Sequence, residues 1–414
     1  MKNKTNNPLN IAIVGGGAAG FFAAITAKQQ NKEAHVTIFE KGKKVLAKVE
    51  VSGGGRCNLT NSFAQIKDLK AAYPRGEKLL KRLFKSFDYE DTYQWFERHG
   101  VALTTQEDEC VFPVSQSSQS VIQALTQEAN RLGVTVLTQH QVTALEPQAN
   151  GDIKLCLKEQ KPRIFQRVAI TTGGSPRAES LQYLARLGHE IVQPVPSLFT
   201  FNIEDKALRN LMGIVIEDAT ASIPGTKLRA SGPLLITHWG VSGPAILKLS
   251  SYAARHVNEN DYHFPLAINW MGNHKVAMVE EEISSMLVSH GKKQLGSIAP
   301  SPLTHRMWVY ILEKTGLETT KRWDELGKKG LHKLVETLTN DLYQVSGKGA
   351  YKDEFVTCGG IALSNISFNT LESKVVPHLF FAGEVLDIDA ITGGFNLQAA
   401  WTTGYVAGLH MACP

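Results

Sequence analysis

The stretch Ile11-Ala12-Ile13-Val14-Gly15-Gly16-Gly17-Ala18-Ala19-Gly20 decides the fold of this chain. A short apolar, partly β-branched run reads as a buried strand, and the glycines directly after it fit G-x-G-x-x-G. Phe21 to Gln30 reads as a helix and Val36-Thr37-Ile38-Phe39 as a second strand. Glu40 ends that strand about twenty residues beyond the last glycine, where the dinucleotide fingerprint places an acid. Gly15 lets the chain turn, Gly17 clears the way for a pyrophosphate to approach the backbone, and Gly20 lets helix and strand pack closely. The helix N-terminus offers N–H groups and a partial positive charge to phosphates. The Glu40 carboxylate suits a ribose diol and would repel a 2′-phosphate, which leaves FAD or NAD. The bland alternative is a Gly-rich turn without a ligand.

A chain of 414 residues is too long for one simple core, so about two or three domains are expected. Its 43% apolar and 20% charged residues describe an ordinary globular protein rather than a disordered or fibrous one. The balance of 44 basic against 39 acidic residues, +5, permits a polyanionic partner without demanding one. Cys57, Cys110, Cys156, Cys358 and Cys413 are scattered and form no C-x-x-C, so neither zinc nor a disulfide framework is expected. Reduced thiols in a cytoplasmic protein are the plain reading. Met1 to Asn10 is polar and lacks the apolar core of a secretory signal. Leu9 to Ala27 carries no charge and is long enough for a bilayer, but its glycines split it into strand, turn and helix.

Beyond Glu40, Ser52-Gly53-Gly54-Gly55-Arg56-Cys57-Asn58-Leu59-Thr60-Asn61 reads as a loop whose backbone approaches a ligand. Arg56 would meet a phosphate or a flavin carbonyl, and Asn58 and Asn61 a ring edge; a flexible surface loop is the alternative. Glu77 to Phe87 reads as an amphipathic helix, with Leu79, Leu80, Leu83, Phe84 and Phe87 on one face and Lys78, Lys81, Arg82 and Lys85 on the other. The basic face is either merely solvated or a contact for nucleic-acid phosphates. Val111 to Val114 reads as a strand and Ser120 to Leu132 as a helix; Val134 to Leu137 and Gln141 to Leu145 read as strands extending a parallel sheet. Ile153 to Lys158 and Ile164 to Arg167 suggest a hairpin, and Val168 to Gly174 a strand returning to the cofactor domain.

Pro194-Val195-Pro196-Ser197 marks a boundary. Phe199 to Glu204, Ile214 to Ser222, Leu234 to Thr237 and Tyr262 to Trp270 read as an antiparallel unit. Within it, His238 precedes the turn Ser242-Gly243-Pro244 and a helix from Ala245 to Ala254. This histidine is a candidate proton donor, or simply caps the turn. Lys275 to His290, Pro302 to Lys314 and Trp323 to Thr339 read as helices of a small, locally basic insert. Phe355 to Gly360 reads as a strand entering a Gly-Gly turn. Leu379 to Val385 is a strand leading to Gly383-Glu384, followed by Asp387 and by Gly393-Gly394-Phe395-Asn396, which opens a small-residue helix to about Met411. This is a second cofactor-facing end. No second G-x-G-x-x-G follows a strand, so a dedicated NAD(P)H domain is not expected.

Gly15 to Gly20 with Glu40, the Gly53-Gly54-Gly55-Arg56-Cys57-Asn58 loop, Thr237 to Pro244, and Ala382 to Asp387 with Gly393 to Asn396 together resemble a bacterial FAD-dependent oxidoreductase family. That family includes aminoacetone oxidases, a bile-acid C=C reductase and a ribosomal RNA dihydrouridine synthase. The resemblance covers nearly the whole chain. Two departures are that Leu46-Ala47-Lys48 stands where members often carry Gly-Arg-Lys, and Thr171-Thr172 where Ala-Thr is usual. The implied fold is α/β, with a Rossmann-like FAD-binding domain built from both chain ends (1–195 and 346–414), an inserted antiparallel β-rich domain (196–272) and a small helical domain (273–345).

As the resemblance implies, FAD is met by Gly15, Gly17, Ala18, Ala19, Gly20, Glu40, Lys41, Lys48, Gly54, Arg56, Cys57, Asn58, Val142, Thr172, Gly173, Gly383, Glu384, Asp387, Gly394, Phe395, Asn396 and Leu397. Cys57, whose pKa Arg56 would lower, and His238 are the candidate proton donors. Three activities are compatible with this reading. NAD(P)H could reduce the flavin and the flavin an activated C=C, such as uracil in ribosomal RNA. A small amine or aminoketone could be oxidised with dioxygen. An RNA-binding assembly factor could keep FAD as structure.

Overall fold

The computed structural model describes residues 8–175, 177–349 and 356–413. The described chain forms two compact units, one running to Val195 and resuming at Val356, the other beginning at Pro196. Of the polar N-terminal stretch, Met1 to Asn7 lie outside the described residues, as does Phe355 at the start of the expected late strand.

The first unit opens with β1 (Asn10–Val14), α1 (Ala18–Gln30) and β2 (His35–Phe39). A short α2 (Ala47–Val51) leads through a tight turn at Ser52–Gly55 to β3 (Thr60–Asn61), α3 (Leu69–Ala72), α4 (Glu77–Leu83) and α5 (Tyr89–Arg98). After β4 (Leu103–Thr105), β5 (Cys110–Pro113) and α6 (Ser118–Arg131), β6 (Thr135–Leu137) pairs parallel with β2. The expectation that Gln141 to Leu145 continues this sheet is corrected. β7 (Val142–Pro147), β8 (Ile153–Leu157) and β9 (Gln160–Phe165) form a separate antiparallel meander. Only a short connection separates β6 from β7, whereas a parallel neighbour requires a crossover of about a dozen residues. β10 (Arg167–Ile170) pairs parallel with β1, and α7 (Gln182–Ala185) and β11 (Ile191–Ser197) complete this part of the chain.

The second unit contains β12 (Phe201–Ile203), α8 (Lys206–Arg209), β13 (Val215–Ser222), β14 (Arg229–Ile236), β15 (Gly240–Ser242), α9 (Pro244–Glu259), β16 (Phe264–Asn269), α10 (Val276–His290), α11 (His305–Thr315), α12 (Gly327–Thr339) and β17 (Asp341–Lys348). Its six strands close into a barrel in the order β12-β15-β14-β13-β16-β17. The expected boundary between 345 and 346 falls inside β17. Val279, Ile283, Trp308 and Leu334 from the helices share one apolar core with Phe201, Ile216 and Leu266 of the barrel. The expected helix Trp323 to Thr339 is interrupted ahead of Gly327, whose φ of +65° breaks the helical turn.

The chain returns through β18 (Val356–Ile361), β19 (Leu379–Phe381) and α13 (Phe395–Met411). The parallel sheet then reads β19-β10-β1-β2-β6, with the last chain segment at one edge. Gly359 and Gly360 make no turn, contrary to expectation. They lie within β18, where a Cβ would stand 2.4 Å from the carbonyl oxygens of Gln193 and Val385 respectively. α1 is buried along Ala19–Ala27 and packs on α13 through small residues. A Cβ on Gly404 or Gly408 would stand 2.5 Å from the carbonyl oxygens of Ala19 or Ala23. Phe22 fills the gap between the helices, its ring 5.1 Å from Trp401. Burying such a side chain contributes about 1.5–3 kcal/mol.

Candidate active site

The glycines after β1 divide their work. Gly15 has φ +115°, and a Cβ there would stand 2.4 Å from Thr171 O, so the turn abuts the end of β10. A Cβ on Gly20 would stand 2.0 Å from Gly15 O, so the helix packs directly on the turn. A Cβ on Gly17 would meet nothing within 4 Å. Gly17 is the N-cap of α1, without a side-chain cap or an acid in the first turn. The positive end of this 13-residue helix therefore borders open space at Gly17.

Glu40 stands beside this turn. Its Oε2 accepts from Gly16 N at 2.9 Å and its Oε1 from Gly42 N at 2.6 Å. Each oxygen keeps a lone pair for a ribose hydroxyl. Lys41 is exposed next to it. His140 N donates to Glu40 O at 2.8 Å, which brings the start of β7, and so Val142, to the same end of the sheet.

The second end is assembled from four distant stretches of the first unit. Gly54 and Gly55 have φ of +69° and +85°, and a Cβ on either would meet nothing within 4 Å. Arg56 lies over the Phe112 ring, 4.3 Å from its centroid, and donates to Gly53 O and Gln116 Oε1. The Asn58 amide, oriented to satisfy both ends, donates to Thr60 O at 3.1 Å and accepts from Gly394 N at 3.3 Å. Asn61 Nδ2 donates to Gly393 O at 3.1 Å. Glu384 accepts from Thr357 N at 2.7 Å and pairs with Lys48 at 2.9 Å. Thr172 is exposed, and Gly173, with φ +75°, again has open space where a Cβ would be. Gly383 N donates to Thr403 Oγ1 at 2.8 Å, and Asp387 N to Ile361 O at 3.0 Å. Gly394, at φ +88°, is the N-cap of α13, which begins Phe395-Asn396-Leu397 and carries no side-chain cap. The Asn396 side chain grips the backbone of Ala390 from both sides, at 2.9 and 3.1 Å.

Two sequence-based expectations change here. Cys57 is fully buried and its thiol pKa is pushed up to about 12 by that burial, only partly opposed by a hydrogen bond with Ser52. The Arg56 guanidinium lies over Phe112 and donates to Gln116, and only the Ser52 hydrogen bond works against the burial. His238 belongs to the second unit, exposed between β14 and β15 with its ring 4.3 Å from that of Trp239. Thr237 rather than His238 caps this turn, accepting from Gly240 N at 3.2 Å. The sequence reading missed Tyr73, Arg75, Asp389 and Gln398, all of which hold the start of α13 or the segment before it. Gln398 is buried and accepts from Thr60 Oγ1 at 2.6 Å. Nothing in spacing or composition singled these residues out.

Among the described residues no group of His, Cys, Asp or Glu could hold a metal ion, and no helix is long and apolar enough to cross a membrane. The open space at Gly17, Gly54, Gly55 and Gly173 fits a dinucleotide. Two helix N-termini without a side-chain cap and an acid at a strand end are the group types that the phosphates and a ribose of FAD call for.

Fold and site together define a FAD-dependent oxidoreductase. The chain belongs to the family described as HI0933-like protein Rossmann domain, whose model matches residues 9–410. It is 27% identical over 410 residues to the 3-dehydro-bile acid delta(4,6)-reductase of Clostridium scindens, covering 96% of this chain and 98% of that one. It is equally 27% identical to the ribosomal RNA dihydrouridine synthase of Haemophilus influenzae, over 97% of this chain and 98% of the relative. The 3-ketosteroid-delta4-(5alpha)-dehydrogenase of Rhodococcus jostii has a similar fold, with TM-score 0.53 and 15% identity over 100% of this chain and 99% of that one.

Proposed function

We propose that this enzyme uses NAD(P)H to reduce an activated C=C, and that its substrate is a uridine in ribosomal RNA, converted to dihydrouridine. The observation that carries the RNA reading is the outer face of α4. The expected helix to Phe87 ends at Leu83; Lys78, Lys81 and Arg82 are exposed on it and Lys85 in the turn just beyond, and among the described residues none of the four has a carboxylate within 4.0 Å. The opposite face, Leu79, Leu80 and Leu83, is buried, and α4 packs on α13. A cationic stripe is thus fixed to the helix that opens the second cofactor-facing end, which suits a phosphate backbone. The names of the two relatives, a delta(4,6)-reductase and a dihydrouridine synthase, support C=C reduction as the reaction type.

The chemistry FAD supplies when bound is two-electron hydride exchange. The chain contributes the rest. Gly17 and the first turn of α1 receive the pyrophosphate, and Glu40 orients a ribose. The first turn of α13 presents N–H groups to the flavin and favours negative charge on it. Cys57, buried and protonated, holds its loop rather than delivering a proton. A uracil ring is reachable only when unstacked, so the target is a loop or rRNA not yet fully assembled. The test is mass spectrometry of rRNA nucleosides from a deletion strain and its complemented parent. A dihydrouridine missing only in the deletion strain supports the reading. Equal dihydrouridine in both, with the purified enzyme inert on rRNA plus NAD(P)H, would leave reduction of a small molecule.

A further inference from the structure

The segment from Ala72 to Gly76 runs alongside the approach to α13. Ala72 O accepts from Ile391 N at 2.9 Å, and Tyr73 Oη donates to Phe395 O at 2.8 Å. Arg75 and Asp389 form an isolated antiparallel bridge, and a Cβ on Gly76 would stand 2.6 Å from the Ile388 side chain. A two-pronged ion pair reinforces this backbone contact. Arg75 Nε donates to Asp389 Oδ1 at 2.5 Å, and its Nη2 to Oδ2. The Asp389 side chain is 0% exposed and that of Arg75 16%. Ala390, the next residue, is the one gripped by Asn396 in the first turn of α13. The chain of contacts is therefore continuous: Arg75, Asp389, Ala390, Asn396.

Stability alone does not account for a guanidinium here. Desolvating two charges is costly, and apolar residues of similar volume often serve a fold as well. A planar fork does what they cannot: it fixes the orientation of the carboxylate it grips. We propose that Arg75 is a positioning residue for bound FAD, acting through Asp389 and Asn396 to aim the first turn of α13. The proposal rests on the reading of that turn as the flavin-facing end. N–H dipoles favour the more negative, reduced state of a flavin, and they do so only while aimed at it. Tilting the turn therefore weakens binding of reduced FAD more than that of oxidised FAD, and lowers the midpoint potential.

The experiment compares FAD-loaded parent, Arg75→Gln, Arg75→Lys, Asp389→Asn and the Arg75→Gln/Asp389→Asn double variant, measuring the midpoint potential by dye equilibration and the melting temperature beside it. Arg75→Gln is expected to lose about tenfold of its preference for reduced over oxidised FAD, a fall of about 30 mV. Asp389→Asn should give the same shift, the double variant no further one, and Arg75→Lys a smaller one in the same direction. A parent-like potential in the variants, with only the melting temperature lowered, would make the pair a fold stitch and overturn the proposal. If Arg75→Gln does not fold, Arg75→Lys and Asp389→Asn decide it by the same criterion. A parent protein that holds no FAD would instead overturn the flavoprotein assignment.

Discussion

Lys48 Nζ stands 2.9 Å from Glu384 Oε2, joining residues 336 apart in the chain. The other Glu384 oxygen takes the N–H of Thr357, and a Cβ on Gly174 would stand 2.5 Å from it. One carboxylate thus gathers α2, the end of β10, β18 and the Gly383 turn. The two partners carry unequal weight, because Lys48 is 56% exposed at its side chain and Glu384 only 18%. Lys48→Ala is expected to cost less than about 1 kcal/mol in chemical denaturation, as exposed ion pairs do. Glu384→Ala strands the Thr357 N–H and should cost more, about 1–3 kcal/mol, and weaken FAD binding. Equal effects from the two substitutions would contradict this ordering.

Glu40 has two duties. It holds the backbone of Gly16 and Gly42, and, as we propose, its remaining lone pairs accept from a ribose. Glu40→Ala should raise the dissociation constant for FAD roughly 10- to 150-fold, the worth of a charge-assisted hydrogen bond of about 1.5–3 kcal/mol. It should also lower the stability of the apoprotein, because two turn N–H groups lose their acceptor. Fluorescence titration with FAD and an apoprotein melt separate the two effects. An unchanged FAD affinity would reduce Glu40 to a turn anchor.

Gly17 and Gly20, three residues apart, should fail differently when changed to alanine. At Gly20 the new methyl meets the Gly15 carbonyl at 2.0 Å, an overpacking that costs about 1–3 kcal/mol or more. At Gly17, with φ −91° and open space around it, the apoprotein should stay within about 1 kcal/mol of the parent. The methyl then occupies ligand space, and FAD affinity should fall at least tenfold. A Gly17→Ala protein that binds FAD like the parent would show that no phosphate approaches there.

The Cys57 thiol, pushed up to about 12 by burial, stays protonated through the neutral range. Alkylation followed by peptide mapping of the native protein should label exposed Cys413 first and leave Cys57 unlabelled until unfolding. Cys57→Ala should keep FAD and turnover, with a loss confined to stability. Loss of turnover in a fully FAD-loaded Cys57→Ala protein would restore the thiol as a proton donor.

The cofactor end at Gly15 to Gly20 and Glu40 was legible because a dinucleotide turn is local. Strand, glycines, helix and acid lie within one short span, and each residue type has one physical use there. Gly359-Gly360 was misread for a related reason. Two glycines signal either a turn or a close backbone approach, and only the neighbouring carbonyls of Gln193 and Val385 decide between them. Arg75 and Asp389 lie 314 residues apart, so their pairing left no mark in either neighbourhood. Cys57 looked reactive because Arg56 adjoins it in sequence, but adjacency does not say which side of the loop is buried. The barrel hid its sixth strand, β17, behind three helices, where the helical pattern suggested a separate domain.

The final prediction concerns the cationic face of α4. Lys81 and Arg82 on α4 and Lys85 in the turn just past it are exposed while Leu79, Leu80 and Leu83 are buried, so changing all three to glutamate should leave the fold and FAD content intact. If they neutralise phosphates of a single-stranded or looped RNA, each releases about 0.7 of a counterion on binding. The triple variant should then bind an rRNA fragment far more weakly at low salt. Its plot of log affinity against log salt should also be flatter than the parent's by about two units of slope, because three phosphate contacts are gone. Flavin reduction by NAD(P)H in the absence of RNA should be unchanged, since these side chains are exposed and bear on no cofactor-cradle residue. Nucleoside mass spectrometry on rRNA treated with each protein completes the test, with dihydrouridine expected from the parent and little from the variant. Equal affinity and an equal salt slope in the two proteins would show that this face is only solvated, and would remove the main structural support for an RNA substrate.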